Sequence, residues 1–146
     1  MQKDDAVSVL NNLIETCKDG EQGFRTAAEA VGNVEVKSRF EEYARERGQM
    51  ARELQDEVRR LGGDPENAGS MAGSVHRGWM NIKSAVSGKD EHAIVAEAER
   101  GEDAAKRAYE DAIQESLPPS TQAVVQAQAG RVRRAHDDVR ALRDRY

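Results

Sequence analysis

Two glutamates, each directly following a glycine, are the residues here best suited to chemistry. They stand in Asp19-Gly-Glu-Gln-Gly23 and Arg100-Gly-Glu-Asp-Ala104, with Gly20 and Gly101 separated by 81 positions. Both stretches lie in runs of helical character, where glycine costs about 1 kcal/mol relative to alanine. Carboxylates on neighbouring helices have two main uses: they hold divalent metals, or buried cations hold them. Bundles that carry two metals take a Glu from one helix of each hairpin and a Glu-x-x-His from the other. Glu21 and Glu102 supply the first half of that set. The second half is missing, because the corresponding i, i+3 pairs are Arg47 with Met50 and Gln128 with Arg131. Three residues before His76, His92 and His136 stand Gly73, Lys89 and Arg133, so no Glu-x-x-His exists anywhere. Hard cations want anionic oxygens or imidazole nitrogens, and a guanidinium beside them repels.

Three readings of Glu21, Arg47, Glu102, Gln128 and Arg131 follow. In the first they form a buried, charge-compensated layer with no metal, Arg47 and Arg131 holding Glu21 and Glu102. In the second, Glu21, Glu102, Gln128 and a shifted neighbour such as Glu46 bind iron or manganese. In the third the side chains turn to solvent. The first is favoured: an unpartnered buried carboxylate costs several kcal/mol, and arginine's fork can satisfy one bidentately. Gly20 and Gly101 then serve either close helix approach or room for a facing group to reach the glutamate, with a slight preference for the former. His76 and His136 read as surface or crossover contacts, and His92 has no evident partner.

The elements that must position these groups are helices. Apolar residues alternate three and four apart, the spacing of a bundle seam. A first helix opens near Asp4 or Asp5 and carries Val7, Leu10, Ile14, Cys17, Phe24, Ala28 and Val31, with Glu21 breaking its seam. Gly32-Asn33 ends it and caps the next. The second runs to Leu61 through Val36, Phe40, Tyr43, Met50 and Leu54, broken at Arg47. The third starts at Asp90 and carries Val95, Ala98, Ala105, Tyr109 and Ala112, broken at Glu102. After Pro118-Pro119, with Ser120 or a neighbour as cap, the fourth carries Val125, Val132, Ala135, Val139, Leu142 and Tyr146, broken at Gln128 and Arg131.

An offset of 81 superposes the halves without a gap: Gly20-Glu21 on Gly101-Glu102, Arg52 on Arg133, Asp56 on Asp137, Val58 on Val139 and Leu61 on Leu142. The chain therefore reads as a duplicated helical hairpin. Its expected organisation is one all-α domain, 1–146, with hairpins 4–61 and 89–146 joined by a long crossover, 62–88. Val75, Trp79, Ile82 and Val86 predict a short helix in that crossover, anchored by Trp79. Two antiparallel hairpins joined this way form the ferritin-like four-helix bundle.

Composition agrees. Charged residues make up 34% and aromatics 4% of the 146 residues, with no alternating strand-type runs. The net charge of −5 weighs against nonspecific nucleic-acid binding, and the arginines of the last helix interleave with Asp137, Asp138 and Asp144. No run approaches the ~20 apolar residues of a membrane span, and no signal peptide is evident at the start. The expectation is a cytoplasmic protein. Cys17, the only cysteine, forms no intramolecular disulfide and reads as a small buried apolar residue.

Leu13-Ile-Glu-Thr-Cys-Lys-Asp-Gly-Glu-Gln-Gly-Phe24, Leu61-Gly-Gly, His76-Arg-Gly-Trp-Met80 and Glu99-Arg-Gly-Glu-Asp-Ala-Ala105 resemble a family of bacterial four-helix-bundle proteins of unknown function in the ferritin-like superfamily. The resemblance spans nearly the whole chain. It implies the ferritin-like bundle and a bacterial cytoplasmic protein linked to stress, and it supplies no activity. The expected function is noncatalytic association, with itself as a homo-oligomer such as a dimer or with another protein, and with no cofactor. The alternative is a divergent iron or manganese oxidase or metal store using Glu21 and Glu102.

Overall fold

Seam spacing and capping residues together set where the helices form. The computed structural model describes residues 3–65 and 78–145. Among them are α1 (Lys3–Ala30), α2 (Val34–Arg60), α3 (Ile82–Ser87), α4 (Glu91–Ile113) and α5 (Pro119–Asp144), and no strand. Asn33 caps α2 by accepting the Val36 N–H, and Asp90 caps α4 by accepting the Ala93 N–H. α2 ends into Gly62, whose φ of +84° is the left-handed conformation that glycine adopts freely. Pro118 is the cap of α5 and Pro119 its first residue, so Ser120 lies inside the helix rather than capping it.

The two hairpins, α1 with α2 and α4 with α5, pack side by side. They meet mainly through α1 against α4, and more sparsely through α2 against α5. This leaves α2 and α4 on one diagonal of the bundle. α3 lies against α1 and α4. The architecture is the ferritin-like four-helix bundle. None of the described helices is long and apolar enough to cross a membrane.

The apolar core is divided in two. One cluster takes Leu10, Leu13, Ile14 and Cys17 of α1, Met50 and Leu54 of α2, Tyr109 of α4 and Val125 and Val132 of α5. The other takes Phe24 and Ala28 of α1, Phe40 and Ala44 of α2, Val95 and Ala98 of α4, Val139 and Leu142 of α5, and Trp79. The division falls at one level on all four long helices: between Cys17 and Phe24, Ala44 and Met50, Ala98 and Ala105, and Val132 and Val139. The seam breaks Glu21, Arg47 and Glu102 stand at that level. Gln128 and Arg131 stand a turn or so away on α5.

The crossover differs from expectation in one respect. Trp79 is 5% exposed and packs edge-on against Phe24 with ring centroids 5.0 Å apart. It precedes α3 rather than lying on it, because the chain turns at Gly78 with φ +87° and the helix begins only at Ile82. Val75, His76 and Tyr146 lie outside the described residues.

Candidate functional site

Arginine is the longest cationic side chain, and at Arg47 that length is used to cross the bundle. From α2 its guanidinium reaches Glu102 on α4, the diagonal neighbour, with Nη1 and Nη2 each 2.6 Å from a carboxylate oxygen. The side chains are 1% and 0% exposed. Burial alone would lower the Arg47 pKa, but the charge of Glu102 and its two hydrogen bonds outweigh that and hold it above its ordinary value. The guanidinium also stands 5.6 Å from the centre of the Phe24 ring. Its Nε–H is buried without an acceptor.

The route to Glu102 is open because α1 carries glycine where the arginine passes. A methyl group on Gly20 would stand 3.1 Å from Arg47 Nη1 and 3.3 Å from its Cγ. Gly101, the partner of Gly20 at the 81-residue offset, makes room for a different side chain, since a methyl there would lie 2.2 Å from the Trp79 indole. Of the two sequence readings, room for a facing side chain is the one that fits Gly20, although the carboxylate reached is Glu102.

A second polar set lies beside the ion pair and joins all four long helices. Tyr109 of α4 donates its hydroxyl proton to Gln128 Oε1 of α5 at 2.7 Å. With that proton committed, the Cys17 thiol of α1, 3.1 Å away, must be the donor to the tyrosine oxygen. Gln128 in turn donates to the Met50 carbonyl of α2 at 3.2 Å and to Glu53 at 2.9 Å. Burial pushes the Cys17 thiol up to about 11, and burial beside Cys17 likewise raises Tyr109 well above its usual value. Both are held protonated, as donors in a fixed chain. Cys17 thus has a polar role that its apolar spacing did not reveal.

Two members of the expected layer lie elsewhere. Glu21 is not held by Arg47. Its side chain is 25% exposed, rests over Gly48 of α2, and pairs with Arg25 one turn along α1 at 3.1 Å. Arg131 does not hold Glu102. It is 33% exposed and sits 3.5 Å from Glu53. Glu46 is half-buried on α2. The buried layer is therefore Arg47, Glu102 and Gln128, with Glu21 and Arg131 at its margins. Among the described residues no group of three or more His, Cys, Asp or Glu side chains is arranged to hold a metal.

Sequence reasoning missed several further contacts. His136 is buried at 4% exposure, not a surface contact, and its Nε2 lies 2.6 Å from Asp103, joining α5 to α4. Glu97, fully buried, accepts the Asn81 N–H at 2.6 Å and pairs with Arg100. Glu57 of α2 accepts from Thr121 at the start of α5 at 2.6 Å and from Arg60. Asp138 accepts from both Arg39 and Tyr43. An i+3 arginine marks Glu57 and Glu97 in the sequence. The others depend on helix pairing that spacing alone does not give.

Fold and site together define a ferritin-like bundle whose centre is a diagonal ion pair beside a hydrogen-bonded chain. Comparison with known proteins places it further. Residues 5–115, from α1 through α4, match the domain of unknown function DUF2383, and the chain belongs to that family. No curated protein matches it. Among solved structures, a point mutant of Dps1 from Mycobacterium smegmatis is similar in fold, with a TM-score of 0.75 at 15% identity over 95% of both chains.

Proposed function

We propose that this is a noncatalytic bundle protein of the bacterial cytoplasm, acting through association with itself or with another protein. The observation that carries the reading is the Arg47–Glu102 pair, two fully buried side chains that cancel each other's charge where the core divides. Both oxygens of this carboxylate already accept from Arg47, its negative charge is compensated, and the guanidinium would repel a cation. The iron or manganese alternative needs Glu21, Glu102, Gln128 and Glu46 to converge. Instead Glu21 lies over Gly48 with Arg25, Glu102 is bound by Arg47, and Gln128 is engaged by Tyr109, Met50 and Glu53.

On this reading the buried polar groups serve the bundle itself, and action falls to the surface. A role in stress rests on the family resemblance of the sequence. Sedimentation velocity across a range of concentrations tests self-association: a dimer or larger species is expected. A strict monomer that co-purifies with no protein would overturn the association reading.

A further inference from the structure

The four long helices do not depend on the crossover in equal measure. Among the described residues, the apolar cluster containing Leu13, Met50, Tyr109 and Val125 has no crossover residue in it. The Arg47–Glu102 brace and the Cys17–Tyr109–Gln128 chain likewise join only the long helices. Among residues 78–88, by contrast, only Trp79 is fully buried. Ile82, Ala85 and Val86 are half-buried, and α3 has no buried residue.

The seat of Trp79 is smooth. The indole lies between Gly23 of α1 and Gly101 of α4, close enough that a methyl on either would approach it to 2.3 or 2.2 Å. Neither glycine offers a side chain to interlock with the ring. Gly78, at φ +87°, bears directly on the α4 backbone, within 2.6 Å of the Arg100 carbonyl as judged from an added methyl. One hydrogen bond follows, from the Asn81 N–H to Glu97. A groove of about 260 Å³ runs beside the ring, lined in part by Thr26, Met80 and Ile82, and Met80 itself is 63% exposed.

We infer that residues 78–88 form a latch, which Trp79 closes by seating between Gly23 and Gly101 and which opens as a unit while the four-helix bundle stays folded. Opening turns the chain about Gly78, breaks the Asn81–Glu97 bond and bares the apolar slot floored by Phe24. The bundle persists because the cluster of Leu13, Met50, Tyr109 and Val125, the ion pair and the hydrogen-bonded chain remain in place. Local opening of this kind belongs to the elements with least burial.

The test uses the intact chain, whose single tryptophan reports the latch. In a urea titration, Trp79 emission should shift red, and acrylamide quenching rise, at a lower concentration than the loss of far-UV helical signal. Coincident transitions would overturn the proposal. Gly101→Ala supplies a second arm, since the added methyl has no place beside the seated indole. The variant should keep its helical signal while native emission moves to the red. Loss of helix in step with the shift, or emission that stays blue, would each show that Trp79 is part of the bundle proper and not a latch.

Discussion

Replacing Arg47 with methionine keeps much of the side chain's apolar length and removes its charge. Glu102, 0% exposed, is then left in the interior without the two 2.6 Å hydrogen bonds that neutralise it. Breaking a buried pair from one side costs about 3–5 kcal/mol. At roughly 2–4 °C per kcal/mol for a chain near this size, the melting temperature should fall by about 6–20 °C. Removing the second partner as well, in Arg47→Met with Glu102→Leu, replaces an ion pair by apolar groups and is often neutral or stabilising. Urea unfolding followed by far-UV circular dichroism measures Arg47→Met, Glu102→Leu and the double variant against the parent, with the m-value checking that only stability has changed. The double variant should recover most of the loss, giving a coupling of about 2 kcal/mol or more. Arg47→Met paired instead with Glu21→Gln should be additive, because Glu21 pairs with Arg25. A loss below about 1 kcal/mol in Arg47→Met, or coupling to Glu21 in place of Glu102, would refute the reasoning.

Three further outcomes follow from the geometry. Gly48→Ala and Gly20→Ala gain the same helix propensity, about 1 kcal/mol, but the first need only displace the partly exposed Glu21 carboxylate, whereas the second presses on Arg47, which Glu102 pins. Thermal melts should find Gly48→Ala neutral or stabilised and Gly20→Ala less stable than it by about 1–3 kcal/mol, the usual range for overpacking. Cys17, with its thiol pushed up to about 11, should react with a thiol reagent at pH 8 at least roughly a hundredfold more slowly in the native protein than in urea. The Arg60 hydrogen bonds, and then Thr121 against the cost of burial, hold the Glu57 carboxyl below its usual value. Its stabilisation is therefore complete above the ordinary carboxylate range and is lost as pH falls toward the lowered folded value. Thr121→Val should destabilise at neutral pH and converge with the parent in acid, as followed by urea unfolding across pH.

Particular residues show how far the sequence could be read. The helices were legible because their seams alternate three and four and because Asn33 and Asp90 are capping residues at their starts. Arg47, Glu102 and Gln128 were legible as polar breaks in apolar seams. Their pairing was not. Seam spacing gives each residue a height and a face, and Arg47 and Glu21 share a height. The choice of Glu102 comes from the diagonal placement of α2 and α4 and from the reach of arginine past Gly20. Glu21 was misplaced because Gly48, one residue beyond Arg47, lets its carboxylate rest at the margin, where Arg25 four residues on meets it. The anchoring role of Trp79 followed from its being the one large aromatic in the crossover. The later start of α3 did not, because it depends on the positive φ of Gly78 and the close approach of that turn to α4.

The central claim is that Arg47 and Glu102 occupy each other in the interior and leave no metal centre. Anaerobic titration of tag-free, chelator-treated protein with Fe(II) and with Mn(II), read by calorimetry and by elemental analysis after dialysis, tests it most directly. The expected result is no stoichiometric uptake of either ion, unchanged in Glu102→Gln. Retention of one or more ions per chain that is lost in Glu102→Gln would contradict the claim and establish Glu102 as a metal ligand.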